Sequence, residues 1–158
     1  GAFVLGSIPF GVAIARLRGV KDLQQRGSGN IGATNVARVV GIGPALAVLA
    51  LDAGKGAAAI GLAHHAGAAP GLVAACGLAV IAGHCFSPIL RFRGGKGVAT
   101  SLGVFGVLAP SLALIAVAAF ALVAGRTRVP ALGSLEHIIV TAWAWTHPRF
   151  NLTAGTGH

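Results

Sequence analysis

Long apolar runs alternate with short polar segments along the whole chain, and this alternation limits the fold more than any single motif. The runs cover approximately residues 1–15, 42–63, 71–86, 98–124 and 131–146. A helix crosses a bilayer with about 20 apolar residues. Only 9% of the residues are charged, whereas a soluble domain carries about 25%. The sequence therefore predicts an all-α integral membrane protein, with one membrane domain over residues 1–158 built as a small polytopic helical bundle of about five transmembrane spans.

The basic residues lie between the apolar runs. The formal net charge is +9, and Lys and Arg concentrate in residues 16–41 and 87–97, whereas the link after the second run contains neither. The positive-inside rule therefore places both basic segments in the cytosol, and it accounts for the charge better than nucleic-acid binding does. Arg126 and Arg128 fall outside under simple alternation. This leaves open whether residues 98–124 form one plain span or the rule fails locally.

The first candidate site is a glycine-rich basic stretch at residues 91–100, which reads R-F-R-G-G-K-G-V-A-T. Its three cations have no acid beside them, and its glycines let the backbone approach a ligand with N–H groups turned inward. This combination predicts an anion-binding nest suited to phosphate. It is not the P-loop of nucleotide-binding proteins, because Gly97 rather than Ser or Thr follows Lys96. A basic cytosolic membrane loop is the alternative interpretation.

The second candidate site is the stretch at residues 27–38, which reads G-S-G-N-I-G-A-T-N-V-A-R. Its glycines fit the fingerprint G-x-G-x-x-G, but polar residues precede it and no strand–helix–strand alternation surrounds it. A dinucleotide-binding fold is therefore excluded. We predict a polar loop near the membrane whose hydrogen-bonding side chains contact a ligand, and an elaborately capped turn is the alternative. The side chains concerned are those of Ser28, Asn30, Thr34, Asn35 and Arg38.

Two charged residues interrupt the second apolar run. A lone charge at the bilayer centre costs about 2.5–3.5 kcal/mol on insertion scales. Asp52 and Lys55 lie three residues apart, where a helix brings side chains together, so we predict a structural ion pair. Direct contact with a substrate is the less favoured alternative. His84 ends the third run and is predicted to cap or pack rather than to act as a base.

The sequence offers little material for other kinds of catalysis. Cys76 and Cys85 match no metal-ligand spacing and are predicted to be small buried residues. No Ser-His-Asp or Cys-His arrangement is apparent, and three acids are too few for paired-carboxylate chemistry. Any catalysis must therefore come from cations and backbone dipoles that hold anionic reactants.

Five motifs occur in the order found in a known family. They read G-S-I-P-F-G at 6–11, G-S-G-N-I-G-A-T-N-V-A-R at 27–38, D-A-G-K-G at 52–56, G-H-C-F-S-P at 83–88 and F-R-G-G-K-G-V-A-T at 92–100. Over about residues 1–134 the chain resembles the bacterial acyl-phosphate–glycerol-3-phosphate acyltransferases. The resemblance implies transfer of a fatty acyl group from acyl phosphate to the 1-hydroxyl of glycerol 3-phosphate. The products are lysophosphatidic acid, a phospholipid precursor, and phosphate. Five to seven spans are possible in the family.

The resemblance also implies roles for particular residues. Ser28 and Arg38 match essential residues of the first motif. His147 resembles the histidine of the third motif, and Asn151 is the candidate for its asparagine, so these four residues form the predicted catalytic set. The glycine-rich loop matches the glycerol-phosphate-binding loop, and a serine in the last third of the chain matches one that faces the site. The predicted substrate-binding residues are Asn30, Asn35, Gly94, Gly95, Lys96, Gly97 and Ser134.

The setting implied by the resemblance is the bacterial inner (plasma) membrane, with several spans and the catalytic loops in the cytoplasm. The expected partners are glycerol 3-phosphate, acyl phosphate and membrane lipid, and the soluble enzyme that makes acyl phosphate is a further candidate. Neither nucleic acid, nor a metal, nor a cofactor is expected. A membrane transporter of phosphate or organic anions remains an alternative, because glycine-rich cationic loops between broken helices also suit that task.

Residues 135–158 depart from the family pattern. The family has a full span between the serine and the histidine, but the segment between Ser134 and His147 is shorter than the ~20 residues that a spanning helix needs. Phe150 stands three residues after the histidine, where the family has asparagine, and Asn151 follows one place later. A relative with a degraded third motif and no activity is therefore a further alternative.

Overall fold

The computed structural model describes residues 1–127, and these residues contain helices and turns but no strand. The helices are α1 (Ala2–Gly6), α2 (Phe10–Leu17), α3 (Ala33–Val39), α4 (Ile42–His65), α5 (Pro70–Cys85), α6 (Val98–Leu108) and α7 (Pro110–Thr127), with 3₁₀ turns at Leu23–Gln25 and Pro88–Leu90. The all-α prediction is confirmed for this part of the chain. The predicted residues Ser134, His147 and Asn151, and the last apolar run, lie outside the described residues.

The chain divides into two compact units, residues 1–114 and residues 115–158. The first unit contains α1 to α6 and the beginning of α7, together with both candidate sites. Of the second unit, the structure describes only the remainder of α7. The single membrane domain over residues 1–158 stays a prediction.

Two helical segments are long and apolar enough to cross a membrane. They are Ile42–His65, with a mean hydropathy of 1.5, and Pro70–Leu90, with 1.9. The 24 residues of α4 correspond to a length of about 36 Å, more than the hydrocarbon core needs. Large apolar side chains remain exposed on both helices, such as Leu62 (65%) and Leu78 (72%), as a lipid-facing surface requires. The remaining apolar helices are shorter, so the count of about five spans stays a prediction.

The sequence explains where the long helices begin. Pro44 lies in the first turn of α4, and Pro70 is the first residue of α5. A proline is tolerated at these positions because the N–H that it lacks would have no partner within the helix. The link between the two helices is short, so α4 and α5 run in opposite directions.

Prolines also divide two runs that the hydropathy pattern shows as continuous. The first run is split into α1 and α2 around Pro9. The run of residues 98–124, for which the sequence left open whether it forms one plain span, is divided into α6 and α7. Ala109 has φ −151° and ψ 74°, because Pro110 disfavours the helical conformation in the residue before it.

Glycines let the helices approach each other closely. A Cβ built at Gly56 of α4 would collide with the carbonyl of Thr100 on α6, and one at Gly103 of α6 would collide with the carbonyl of Ala53. The helices α1 and α5 are equally close, because a Cβ at Gly6 of α1 or at Gly83 of α5 would collide with a backbone carbonyl of the other helix. Small residues at such contacts are typical of helices packed within membranes.

Candidate active site

The motif at residues 27–38 is half loop and half helix, because α3 begins at Ala33. The side chain of Asn35 lies on α3 and is only 1% exposed. Its Oδ1 accepts the N–H of Ser28 at 2.9 Å, and its Nδ2 donates to the carbonyls of Asn30 at 2.8 Å and Arg26 at 3.1 Å. The amide therefore holds the loop in shape, whereas the sequence predicts that it binds substrate.

The same loop directs other side chains outward. Ser28, Thr34 and Arg38 are exposed, and the last two lie four residues apart on α3. Asn30 is half-buried and its Oδ1 accepts the N–H of Gly32 at 2.8 Å, just before α3 begins. Two hydroxyls and a guanidinium from this motif are thus exposed on a segment that the buried Asn35 amide holds from within.

A local ion pair precedes this loop. The Arg26 Nε lies 2.8 Å from Asp22 Oδ1 at the protein surface. The hydrogen bond from this guanidinium holds the pKa of the Asp22 carboxyl below its usual value. Arg26, just before the motif, is thus paired with a neighbouring carboxylate. Within the motif of residues 27–38, the exposed cation is Arg38.

The glycine-rich loop folds back over the end of α5. The N–H of Gly94 donates to the carbonyl of Cys85 at 3.1 Å, and the N–H of Gly95 donates to that of His84 at 3.0 Å. Both N–H groups already donate to carbonyls of α5, so they are not available to a ligand. The residues of the predicted anion-binding nest that remain are Lys96, Gly97 and the first residues of α6. Lys96 is exposed, and Gly97 has φ +77° and precedes the first turn of α6.

The two loops meet. The Gln24 Nε2 donates to the carbonyl of Arg93 at 2.8 Å, across 69 residues of sequence. Leu90 packs against the apolar cluster that underlies the first loop. Chain direction agrees with these contacts, because α4 starts after the first loop and α5 ends before the second, while the link near His65 lies at the opposite ends of both helices.

A charged cluster lies buried below the loops. The Lys55 Nζ is 2.8 Å from Asp52 Oδ1, and this confirms the predicted ion pair. The same Nζ lies 2.9 Å from His84 Nδ1 and donates to the carbonyl of Ile8 at 3.0 Å. Asp52, Lys55 and His84 are at most 4% exposed. The contact of His84 with this cluster could not be predicted from the sequence, because 29 residues separate His84 from Lys55.

The described residues contain no group of three or more His, Cys, Asp or Glu side chains that could hold a metal ion. Cys76 and Cys85 are half-buried thiols. The exposed polar groups that the described part of these loops offers include cations and hydroxyls.

These features define a class: a helical membrane protein with cationic, glycine-rich loops at one end of its long helices. The sequence matches the family described as glycerol-3-phosphate acyltransferase over residues 1–155. The chain belongs to the glycerol-3-phosphate acyltransferase family, and the resemblance seen in the motifs is confirmed.

Relatives and solved structures agree with this assignment. A glycerol-3-phosphate acyltransferase of Synechococcus sp. is 46% identical over 151 residues, covering 94% of this chain and 75% of the relative. Glycerol-3-phosphate acyltransferase 1 of Deinococcus radiodurans is 50% identical over 113 residues, and the match spans 72% of this chain but only 57% of that relative. The crystal structure of PlsY, an integral membrane glycerol 3-phosphate acyltransferase, in its glycerol 3-phosphate form is 38% identical with a TM-score of 0.81, over 92% of this chain and 73% of that chain. A second crystal structure of PlsY, in the lysophosphatidic acid form, has a TM-score of 0.78.

Proposed function

We propose that this protein transfers a fatty acyl group from acyl phosphate to the 1-hydroxyl of glycerol 3-phosphate, giving lysophosphatidic acid and phosphate. Family membership supports the reaction, and the two forms of the PlsY structure carry an acceptor and a product of it in their names. The observation that carries the proposal is the hydrogen bond from Gln24, just before the first cationic loop, to Arg93 in the second. This contact places the two loops close enough to bind two phosphorylated reactants side by side.

The electrostatics of this site suit phosphate. The ammonium of Lys96 precedes the N-terminus of α6, where unpaired N–H groups and the helix dipole favour an anion. Arg38 on α3 supplies a planar guanidinium that can bind phosphate through two hydrogen bonds. We infer that Lys96 with Gly97 and α6 holds one phosphate and that Arg38 with Ser28 holds the other.

The remaining predicted residues complete this proposal. Ser134, His147 and Asn151 are assigned to the site by resemblance alone. Asn30 and the backbone of Gly94 and Gly95 would shape the loops around the acceptor.

The chemistry needs little beyond juxtaposition. Acyl phosphate is a mixed anhydride, so its phosphate is already a good leaving group. The 1-hydroxyl oxygen of glycerol 3-phosphate forms a bond to the acyl carbonyl carbon, and the bond between that carbon and the phosphate oxygen breaks. The departing phosphate accepts the hydroxyl proton. Holding the two reactants in contact converts a bimolecular step into an intramolecular one, which accounts for large accelerations without a protein nucleophile.

The proposed setting is the bacterial inner membrane, with both loops on the cytoplasmic side. The loops lie at the ends of apolar helices whose exposed side chains suit lipid. An acyl chain could then stay in the bilayer while its phosphate reaches the loops. The soluble enzyme that makes acyl phosphate is a candidate partner at this face.

The test is direct turnover. Purified protein in detergent is incubated with acyl phosphate and glycerol 3-phosphate, and phosphate release and lysophosphatidic acid are measured together. Arg38→Ala should lose about 100-fold or more in rate, as removal of a charge-stabilising donor does in other enzymes. Arg18→Ala, an exposed arginine at the end of α2, is the matched control and should stay near the wild-type rate. Full activity in Arg38→Ala would contradict the electrostatic account, and no turnover in the wild-type chain would contradict the function.

A further inference from the structure

The buried cluster fixes the orientation of the His84 ring. The ammonium of Lys55 has three N–H groups, and three neighbours lie within about 3.0 Å of it: the carbonyl of Ile8, Asp52 Oδ1 and His84 Nδ1. The Asp52 oxygen has no directed hydrogen bond, so that contact is an ion pair. The same Nδ1 also lies 3.5 Å from Asp52 Oδ1, so both members of the ion pair contact this edge of the ring. These contacts hold the ring with its Nδ1 edge toward the ion pair and its Nε2 edge away from it.

The Nε2 edge of the His84 ring faces the glycine-rich loop. A Cβ built at Gly95 would collide with His84 Nε2. The next nearest atoms are the two ring carbons bonded to this nitrogen. The carbonyl of His84 also accepts the N–H of Gly95. One residue therefore contacts Gly95 through both its backbone and its ring, directly before Lys96.

Gly94 provides a useful contrast. A Cβ built there would collide with the carbonyls of His84 and Cys85, which belong to the backbone of α5. No change of the His84 side chain can remove these obstacles. The two neighbouring glycines thus meet different parts of the same residue.

We propose that His84 is a positioning residue, held by Lys55 and Asp52, whose ring sets the place of Gly95 and hence of the loop that binds the phosphate of glycerol 3-phosphate. The proposal rests on the proposed function. In this proposal the buried ion pair of α4 contributes to substrate binding indirectly, because the pair fixes the orientation of the ring that contacts the loop.

His84→Asn tests the proposal without leaving Lys55 unpaired. Asparagine keeps an acceptor near the position of Nδ1 but has no atom at Nε2. The KM for glycerol 3-phosphate should rise about tenfold or more, because misplacing a binding group by about 1 Å costs up to 100-fold. The KM for acyl phosphate should change less than about twofold. A purely structural role would lower the active fraction and the melting temperature and leave both KM values unchanged, and that result would overturn the proposal.

A double-mutant cycle gives the second readout. Gly95→Ala should raise the KM for glycerol 3-phosphate by itself, because the new methyl group meets the ring. In the double variant His84→Asn/Gly95→Ala this KM should stay close to that of His84→Asn alone, since the obstacle is gone. In His84→Asn/Gly94→Ala, the matched control, the two increases should multiply, as they do for independent sites. Multiplication in both double variants would overturn the proposal.

The outcomes separate the two ideas. A wild-type protein without turnover would contradict the proposed function, whereas an active wild-type protein without the KM change would contradict only the role of His84. Should Gly95→Ala fail to fold, the KM values of His84→Asn decide alone.

Discussion

Asn35 is a single buried residue whose side-chain amide determines the shape of the first loop, and with it the positions of the exposed side chains of that loop. Its amide satisfies one N–H and two carbonyls of the segment from Arg26 to Asn30 while remaining buried. Gly27 completes the arrangement, because it has φ +59° and a Cβ there would collide with Asn35 Oδ1. Such a network specifies one loop shape when every member is satisfied.

Replacing Asn35 with alanine should collapse this loop. Leaving buried groups unpaired costs about 1–3 kcal/mol each, so the melting temperature should fall and the rate should fall with it. Thr34→Ala changes an exposed neighbour on the same helix and should affect the melting temperature little. Equal melting temperatures for the two variants, measured in the same detergent, would contradict the assigned role of Asn35.

The buried ion pair gives a second prediction for single residues. Asp52→Asn leaves the ammonium of Lys55 without its counter-charge and should destabilise the protein by about 3–5 kcal/mol. Asp22→Asn removes the carboxylate of an exposed pair and should have little effect, since water screens such pairs. Thermal unfolding of both variants checks this, and an Asp52→Asn protein as stable as Asp22→Asn would contradict a charged Lys55.

At the scale of helices, the packing of α4 depends on which glycine faces a neighbour. Gly56 faces the carbonyl of Thr100 on α6, whereas a Cβ at Gly61, five residues further along, has nothing within 4 Å. The helix α4 is thus closely packed on one face and open to lipid on another.

Alanine at these two glycines should therefore have opposite effects. Gly56→Ala forces α4 and α6 apart and should destabilise the protein by about 1–3 kcal/mol. Gly61→Ala should be neutral or stabilise by up to about 1 kcal/mol, because alanine is the better helix former. Thermal unfolding measures both variants, and a Gly56→Ala protein as stable as Gly61→Ala would show that this contact is not close.

The sequence predicted the parts of these elements that depend on local pattern. The apolar run of residues 42–63 predicted the bounds of α4 to within two residues. The spacing of Asp52 and Lys55 predicted their ion pair. Contacts between distant segments were not predictable, so the place of His84 against Lys55 and the bond from Gln24 to the second loop were missed. The direction of a polar side chain was also missed, because nothing in a motif says that Asn35 turns inward while Ser28 turns outward.

At the scale of the whole first unit, the account depends on both loops lying at the same ends of α4 and α5. The apolar cluster of Leu23, Ile31, Val36 and their neighbours holds the first loop on these helices, and Leu90 extends it toward the second. This arrangement brings two cationic motifs, about 60 residues apart in sequence, to the same end of α4 and α5.

The most direct measurement is the side of the membrane on which each loop is exposed. Single cysteines at Arg26, Arg93 and His65, all exposed, are introduced in a protein whose Cys76 and Cys85 are replaced by alanine, and each is labelled with a membrane-impermeant maleimide in oriented vesicles. The account predicts that Arg26→Cys and Arg93→Cys label from the same side and His65→Cys from the other. Labelling of Arg26→Cys and Arg93→Cys from opposite sides would contradict it.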